Sequence, residues 1–174
     1  MRSRQKAIPL DIVQALAESY RVNDQMNQIV IEYLDERAWR AKPPRNRTRT
    51  VAAIFSHVQN IRRKWLRLSA PHLKLPRPLD RARCTPAEAR AALEESAAQC
   101  CEMLIEALAG TDSRVERFHR DGWARPWEPN AAMLAYMITH DAHHRGQVCM
   151  LAHQLGFPLP AQVVSRIWAW ERLF

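Results

Sequence analysis

The stretch MITHDAHHRGQV, residues 137–148, holds three of the seven histidines of this 174-residue chain. Imidazole hydrogen-bonds, carries protons near neutral pH and binds metals. At about 100° per residue along a helix, His140 and His144 share one face, where two imidazoles can reach one cation. Met133, Met137, Val148 and Leu151 fall in or beside the same sector, so the histidine face is also the apolar one. His143 is turned about 100° away, which suits the surface, support of a neighbour or a subunit contact. A third candidate lies upstream. His57 follows Ile54 by three positions and precedes Ile61 by four, on the stripe marked by Ile54, Val58, Ile61 and Trp65. It lies nine residues past Thr48, and His140 ten past Asn130, so antiparallel helices would bring both to mid-bundle. Two readings stay open here. Each histidine could be a hydrogen-bonded core residue, or one divalent cation could satisfy three converging imidazoles at once.

The neighbours suggest roles. Asp141 and Arg145 are spaced i,i+4, which predicts a helix-stabilising salt bridge; the alternative is that Arg145 orients an anionic substrate. Gln147 lies near the histidine face and could hold a ligand from outside. Asp141, Arg145 and Gln147 are therefore the catalytic candidates. Gly146 lowers helix propensity by about 1 kcal/mol, which predicts close packing against another helix. The pattern is not HExxH: an acid follows the first histidine, but as Asp141, one methylene shorter than the base of a metallopeptidase. Three imidazoles with an open position are one arrangement of catalytic zinc, whereas structural zinc closes its shell with four protein ligands. An open site lowers the pKa of a water or a thiol. A thiol so activated and attacking an electrophile is S-transfer; an activated water attacking an ester or amide is hydrolysis. Cys149 lies about 150° from the histidine face and supplies neither.

Those residues need helices to hold them, and the chain predicts four long ones. The first runs from about Pro9 to Arg37, with Val13, Leu16, Tyr20, Ile29, Val30, Tyr33 and Leu34 at helical spacing. Its polar middle, RVNDQMNQ, marks a bend or a cleft-facing patch, and the KPP run at 42–44 stops it. The second begins at Thr48 or Thr50 and reaches about Leu68. A proline-punctuated connection, 69–84, then covers enough distance to be a crossover along a whole helix. In TPAEA, Thr85 caps the third helix, Pro86 opens it and Glu88 completes a capping box; Gly110 ends it. A long loop with Trp123 and Trp127 follows. The fourth helix starts after Asn130 and ends at Gly156, and the tail from Pro160 docks as a short helix. The expected architecture is an all-α four-helix bundle, a single domain over residues 1–174.

Composition narrows the function classes. The net charge is +8, spread along the chain and densest in RSRQK, RAWRAKPPRNRTR and RRKWLR. Without a nucleic-acid motif, this predicts weak, salt-sensitive DNA contacts at most and no specific nucleic acid as partner. Four cysteines in no CxxC pair read as reduced thiols of a cytoplasmic protein. The N-terminus has no apolar stretch of signal-peptide length, and no run approaches the ~20 residues that span a bilayer, so no membrane is expected.

HDAHHRGQV, preceded by the inward histidine of IFSHVQNIRRKWL and followed by the closing SRIWAWERLF, resembles the DinB/YfiT-like superfamily over nearly the whole chain. That family's usual motif reads close to HEAHHRGQ, so Asp141 stands where Glu is commoner. The resemblance implies an up-down-down-up bundle with a long crossover between helices two and three, commonly a homodimer. It implies one divalent ion (zinc, nickel, manganese or iron) on His57, His140 and His144, with positions left for water. Relatives of this type include transferases and isomerases using a low-molecular-weight thiol such as bacillithiol, mycothiol or glutathione. The leading expectation is a metal-dependent enzyme acting on a small-molecule substrate, with thiol S-transfer ahead of hydrolysis. The alternative is a non-catalytic, stress-related binding protein of the DNA-damage-inducible type, contacting nucleic acid or another protein.

Overall fold

The computed structural model describes residues 11–42, 49–110 and 113–173. It holds six helices: α1 (Ile12–Tyr33), α2 (Glu36–Trp39), α3 (Val51–Ser69), α4 (Pro86–Leu108), α5 (Ala131–Gln154) and α6 (Ala161–Trp168), followed by a 3-10 turn over Trp170–Arg172. Pro9, the prolines at 43 and 44, and Thr48 lie outside the described residues. Among the described residues there is no β-strand, and no helix is long and apolar enough to cross a membrane.

The caps follow side-chain chemistry. Asp11 accepts from the Gln14 N–H at 3.1 Å, Thr50 from Ala53 at 3.2 Å and Asn130 from Ala132 at 2.8 Å. Thr85 and Glu88 form the expected capping box. At the far end of α5, Gly156 adopts φ +83°, a conformation that closes a helix without the clash of a Cβ. The first helix is shorter than its apolar pattern. It stops at Tyr33, Leu34 is extended, and Asp35 captures the Arg37 N–H at 2.8 Å to start the single turn of α2. That break turns Trp39 into the core, where it stacks on Phe55 and donates to the Cys84 carbonyl at 2.8 Å.

Cross-links give the helix directions. His57 faces His144, Arg62 meets Asp141 and Trp65 meets Tyr136, so α3 and α5 are antiparallel. Asn23 meets Asp141 and Asn27 meets Arg145, so α1 and α5 are parallel. Cys101 lies against the Ala17 carbonyl and Gln28 against Arg90, so α1 and α4 are antiparallel. The order is up-down-down-up, with α1 and α3 each packed against both α4 and α5. The crossover between α3 and α4 lies along α3. Gln59 donates to the Arg77 carbonyl, Asn60 exchanges hydrogen bonds with Leu79, and Arg63 donates to the Pro76 carbonyl. The polar face of α3 thus satisfies a backbone that has no helix or sheet of its own.

The core comes in two apolar halves. One gathers Ile29, Val30, Trp39, Phe55 and Leu93; the other gathers Tyr20, Trp65, Met103, Leu104, Phe118 and Met137. A buried polar group of Asn23, Asp24, Asn27, Arg62, Ser96 and Asp141 lies among the same four helices. Within the RVNDQMNQ stretch, Asn23, Asp24 and Asn27 are buried between helices, and Arg21, Asp24, Gln25 and Gln28 line a cavity of about 320 Å³ together with Arg90 and Glu94 of α4, so the stretch does face a cleft.

Candidate metal centre

The Thr50 cap sets the register of α3 and the Asn130 cap that of α5. In that register His57 meets His140 and His144 across the antiparallel pair. Ring centroids are 4.6 Å apart for His57–His144, 5.5 Å for His57–His140 and 4.6 Å for His140–His144. One ligand atom from each lies within 4.8 Å of the other two, a group that could hold a metal ion. His144 is buried, and His57 and His140 are half-buried.

Two of the rings are already oriented. The Nδ1 of His144 is 2.8 Å from Gln147 Oε1, and the Nδ1 of His140 is 3.3 Å from Asp141 Oδ1. Both partners are oxygens that only accept, so each Nδ1 is the nitrogen that donates and each Nε2 points away from that bond. Such outer hydrogen bonds fix tautomer and ring plane in metal-binding histidines. The Trp65 ring meets His140 edge-on at 5.2 Å and limits its rotation. Burial, with the nearby His144, Arg49, His140 and Lys64, pushes the His57 imidazole down to about 4. Burial lowers His144 too, against the opposing Gln147 hydrogen bond. Both are neutral at pH 7, the form that ligates. The donor set therefore fits a divalent ion of borderline softness.

One flank of the cluster is open. His57 and His144 line a cavity of about 740 Å³ together with Arg49, Ile54, Gln147, Met150 and Leu151. Its size suits a small-molecule ligand. His143 is exposed and lines the same cavity, joined at 3.0 Å to the Nε2 of Gln147. Gly146 also faces this space: a Cβ there would meet nothing within 4 Å, so it does not mark the expected close helix contact.

The expected Asp141–Arg145 salt bridge is not formed. Asp141 is fully buried and its Oδ2 pairs with Arg62 Nη2 at 2.5 Å, with Arg62 Nε and Asn23 Nδ2 also donating. Arg145 points toward α1 and donates to the Asn23 carbonyl, Asn23 Oδ1 and Asn27 Oδ1. Arg62 outcompetes the same-helix partner because it is buried and brings several donors. Burial would raise Asp141, but Arg62 holds its carboxyl below the usual carboxylate range. Arg62 was hidden in a basic run, yet it lies four past Val58 and three before Trp65, on the buried stripe. Asn23, Asp24 and Asn27 likewise continue the stripe of Tyr20. Those spacings were the available signal. Cys84, Cys100 and Cys101 are buried free thiols, and Cys149 is half-buried.

A model of the DinB family matches residues 5–171. No curated protein matches the chain.

Proposed function

The chain belongs to the DinB family, and from that premise we propose that it is a metal-dependent enzyme, with His57, His140 and His144 holding one divalent ion. The observation that carries this reading is the convergence of three imidazoles within 4.8 Å beside an open cavity. Asp141 and Gln147 hold the Nδ1 atoms of His140 and His144, which leaves the Nε2 of each ring as the nitrogen to offer an ion. Ile54, Met150 and Leu151 give the cavity an apolar wall that a substrate can cover. When bound, a divalent ion with open positions supplies Lewis acidity and lowers the pKa of a water or thiol beside it. We favour a low-molecular-weight thiol and an electrophile as the reacting pair, because a space of about 740 Å³ has room for both. Hydrolysis is the competing chemistry. A homodimer belongs to the same proposal. Its support is the exposed apolar surface of Met150, Val164, Trp168 and Trp170.

Elemental analysis of purified protein tests the site. About one ion per chain is expected for wild type and for His143→Ala, and much less for His57→Ala, His140→Ala and His144→Ala. The reading falls if wild type refolded with zinc, nickel, manganese or iron retains none. On metal-loaded protein, a screen of thiols with electrophiles against a screen of esters and amides separates the two chemistries. Sedimentation of the same sample reads the oligomeric state.

A further inference from the structure

We propose that Arg49 is the anion-recognising residue of the histidine-lined cavity, so that the substrate is a small organic anion, carboxylate or phosphate, with an apolar group. The inference rests on the enzyme reading above but uses different residues.

Four cations around the centre are engaged elsewhere. Arg62 is buried between Asp24 and Asp141, Arg145 donates to Asn23 and Asn27, Lys64 pairs with Asp121, and Arg63 donates to a crossover carbonyl. Arg49 differs. It is exposed, immediately precedes the Thr50 cap, and has no hydrogen-bond or ion-pair partner among the described residues. It lines the 740 Å³ cavity and also a smaller one of about 430 Å³; His57 lines both. The described lining of the larger cavity contains no carboxylate, so nothing there neutralises the guanidinium. The smaller cavity adds a second cation, Arg81, and one acid, Asp80, whose Oδ1 accepts the Ala82 N–H at 2.7 Å. Guanidinium offers a planar fork of donors that matches carboxylate and phosphate. The same lining includes Ile54, Met150 and Leu151, which suit an apolar substituent. A cation and an apolar wall beside the imidazoles select for an amphipathic anion and against a cation.

Three ligands with one ring test this: benzoate, phenyl phosphate and the uncharged benzyl alcohol. Binding is measured by calorimetry at low salt on full-length protein, metal-free and zinc-loaded, with zinc content determined on each preparation. In metal-free wild type the better anion should bind about tenfold more tightly than benzyl alcohol, the scale of a charge-assisted hydrogen bond at a partly solvated site. Whichever of benzoate and phenyl phosphate leads identifies the recognised group. Arg49→Ala should abolish the preference, Arg49→Lys should keep part of it, and Arg117→Ala, a change in the 109–130 loop, should keep all. A wild type that does not distinguish the anions from benzyl alcohol overturns the proposal, as does a preference that survives in Arg49→Ala. The metal reading is judged separately. An Arg49-dependent preference in a protein that retains no zinc upholds this inference and removes the enzyme proposal. Full zinc content with no anion preference does the reverse.

Discussion

Two polar regions share helix α5, and adjacent residues divide them. His140 faces the open imidazole cluster, while Asp141 faces a sealed ionic layer. In the sealed layer Arg62 directs its donors to Asp141, Asp24, the Leu93 carbonyl and Ser96, and Asn23 adds a further donor to Asp141. Every charge there is answered from within the chain. Around the cluster only the outer nitrogens of two rings are answered, and His57 has no hydrogen-bond partner among the described residues. A buried polar region completed from inside holds a fold together, whereas one completed on its outer side only is built for something that arrives. Asp141 belongs to both regions, since one oxygen serves Arg62 and the other His140.

The sharpest way to break this contrast is at Arg62. Removing the cation leaves Asp24 and Asp141 facing each other in the interior without it, and losing one partner of a buried ion pair costs about 3–5 kcal/mol. Arg62→Met should show that loss in urea denaturation of metal-free protein, whereas His57→Ala, which removes a half-buried ring at the cavity edge, should cost far less. If the two variants unfold at the same urea concentration, the division into a structural and a functional region is wrong. A Met in place of Arg62 keeps comparable volume, so the measurement reads charge more than cavity formation.

Asp141→Asn tests the shared residue. The amide keeps shape and can accept from His140, but it loses the charge opposite Arg62. Disrupting a carboxylate behind a metal-binding histidine typically costs 10–100-fold in metal affinity. We expect a zinc affinity about tenfold weaker, with Gln147→Ala acting similarly through His144 but leaving urea stability near wild type. Equal zinc affinity in Asp141→Asn and wild type would detach the ionic layer from the site.

The same contrast decides what was legible in the sequence. His57, His140 and His144 were readable because helical spacing put each on an apolar stripe, and the caps at Thr85 and Asn130, with Thr50 as one of two offered for α3, are local chemistry that survives folding unchanged. The family resemblance added the order of the helices. The ionic layer was not readable in the same way. Its members come from α1, α3, α4 and α5, and each alone looks like an ordinary surface residue: Arg62 in a basic run, Asp141 beside a ready helical partner in Arg145. Gly146 misled for a related reason, since a small residue can open space as well as close it. The end of α1 at Tyr33 was missed because Asp35 starts a new turn inside an unbroken apolar pattern. Arg49 carried no signal at all until the cavity was visible.

The smallest expected effect concerns acid. The folded His57 titrates at about 4 and the unfolded imidazole at about 6.5. Between those values the unfolded chain binds a proton that the folded one refuses, so stability rises with pH there. Metal-free protein should therefore keep its full His57 contribution above about pH 6.5, lose it progressively down to about pH 4, and show no further loss from this residue below that. One proton sets the slope at no more than about 1.4 kcal/mol per pH unit, and solvent at the cavity edge reduces it. His144, lowered in the same direction, adds to the trend. Urea midpoints of wild type and His57→Ala at about pH 7 and about pH 4.5 check it: the variant should lose less stability on acidification. Bound zinc should steepen the wild-type decline, because protons then displace an ion that stabilises only the folded state. An acid decline that is the same in wild type and His57→Ala, with and without zinc, would place the acid-sensitive groups at residues other than His57.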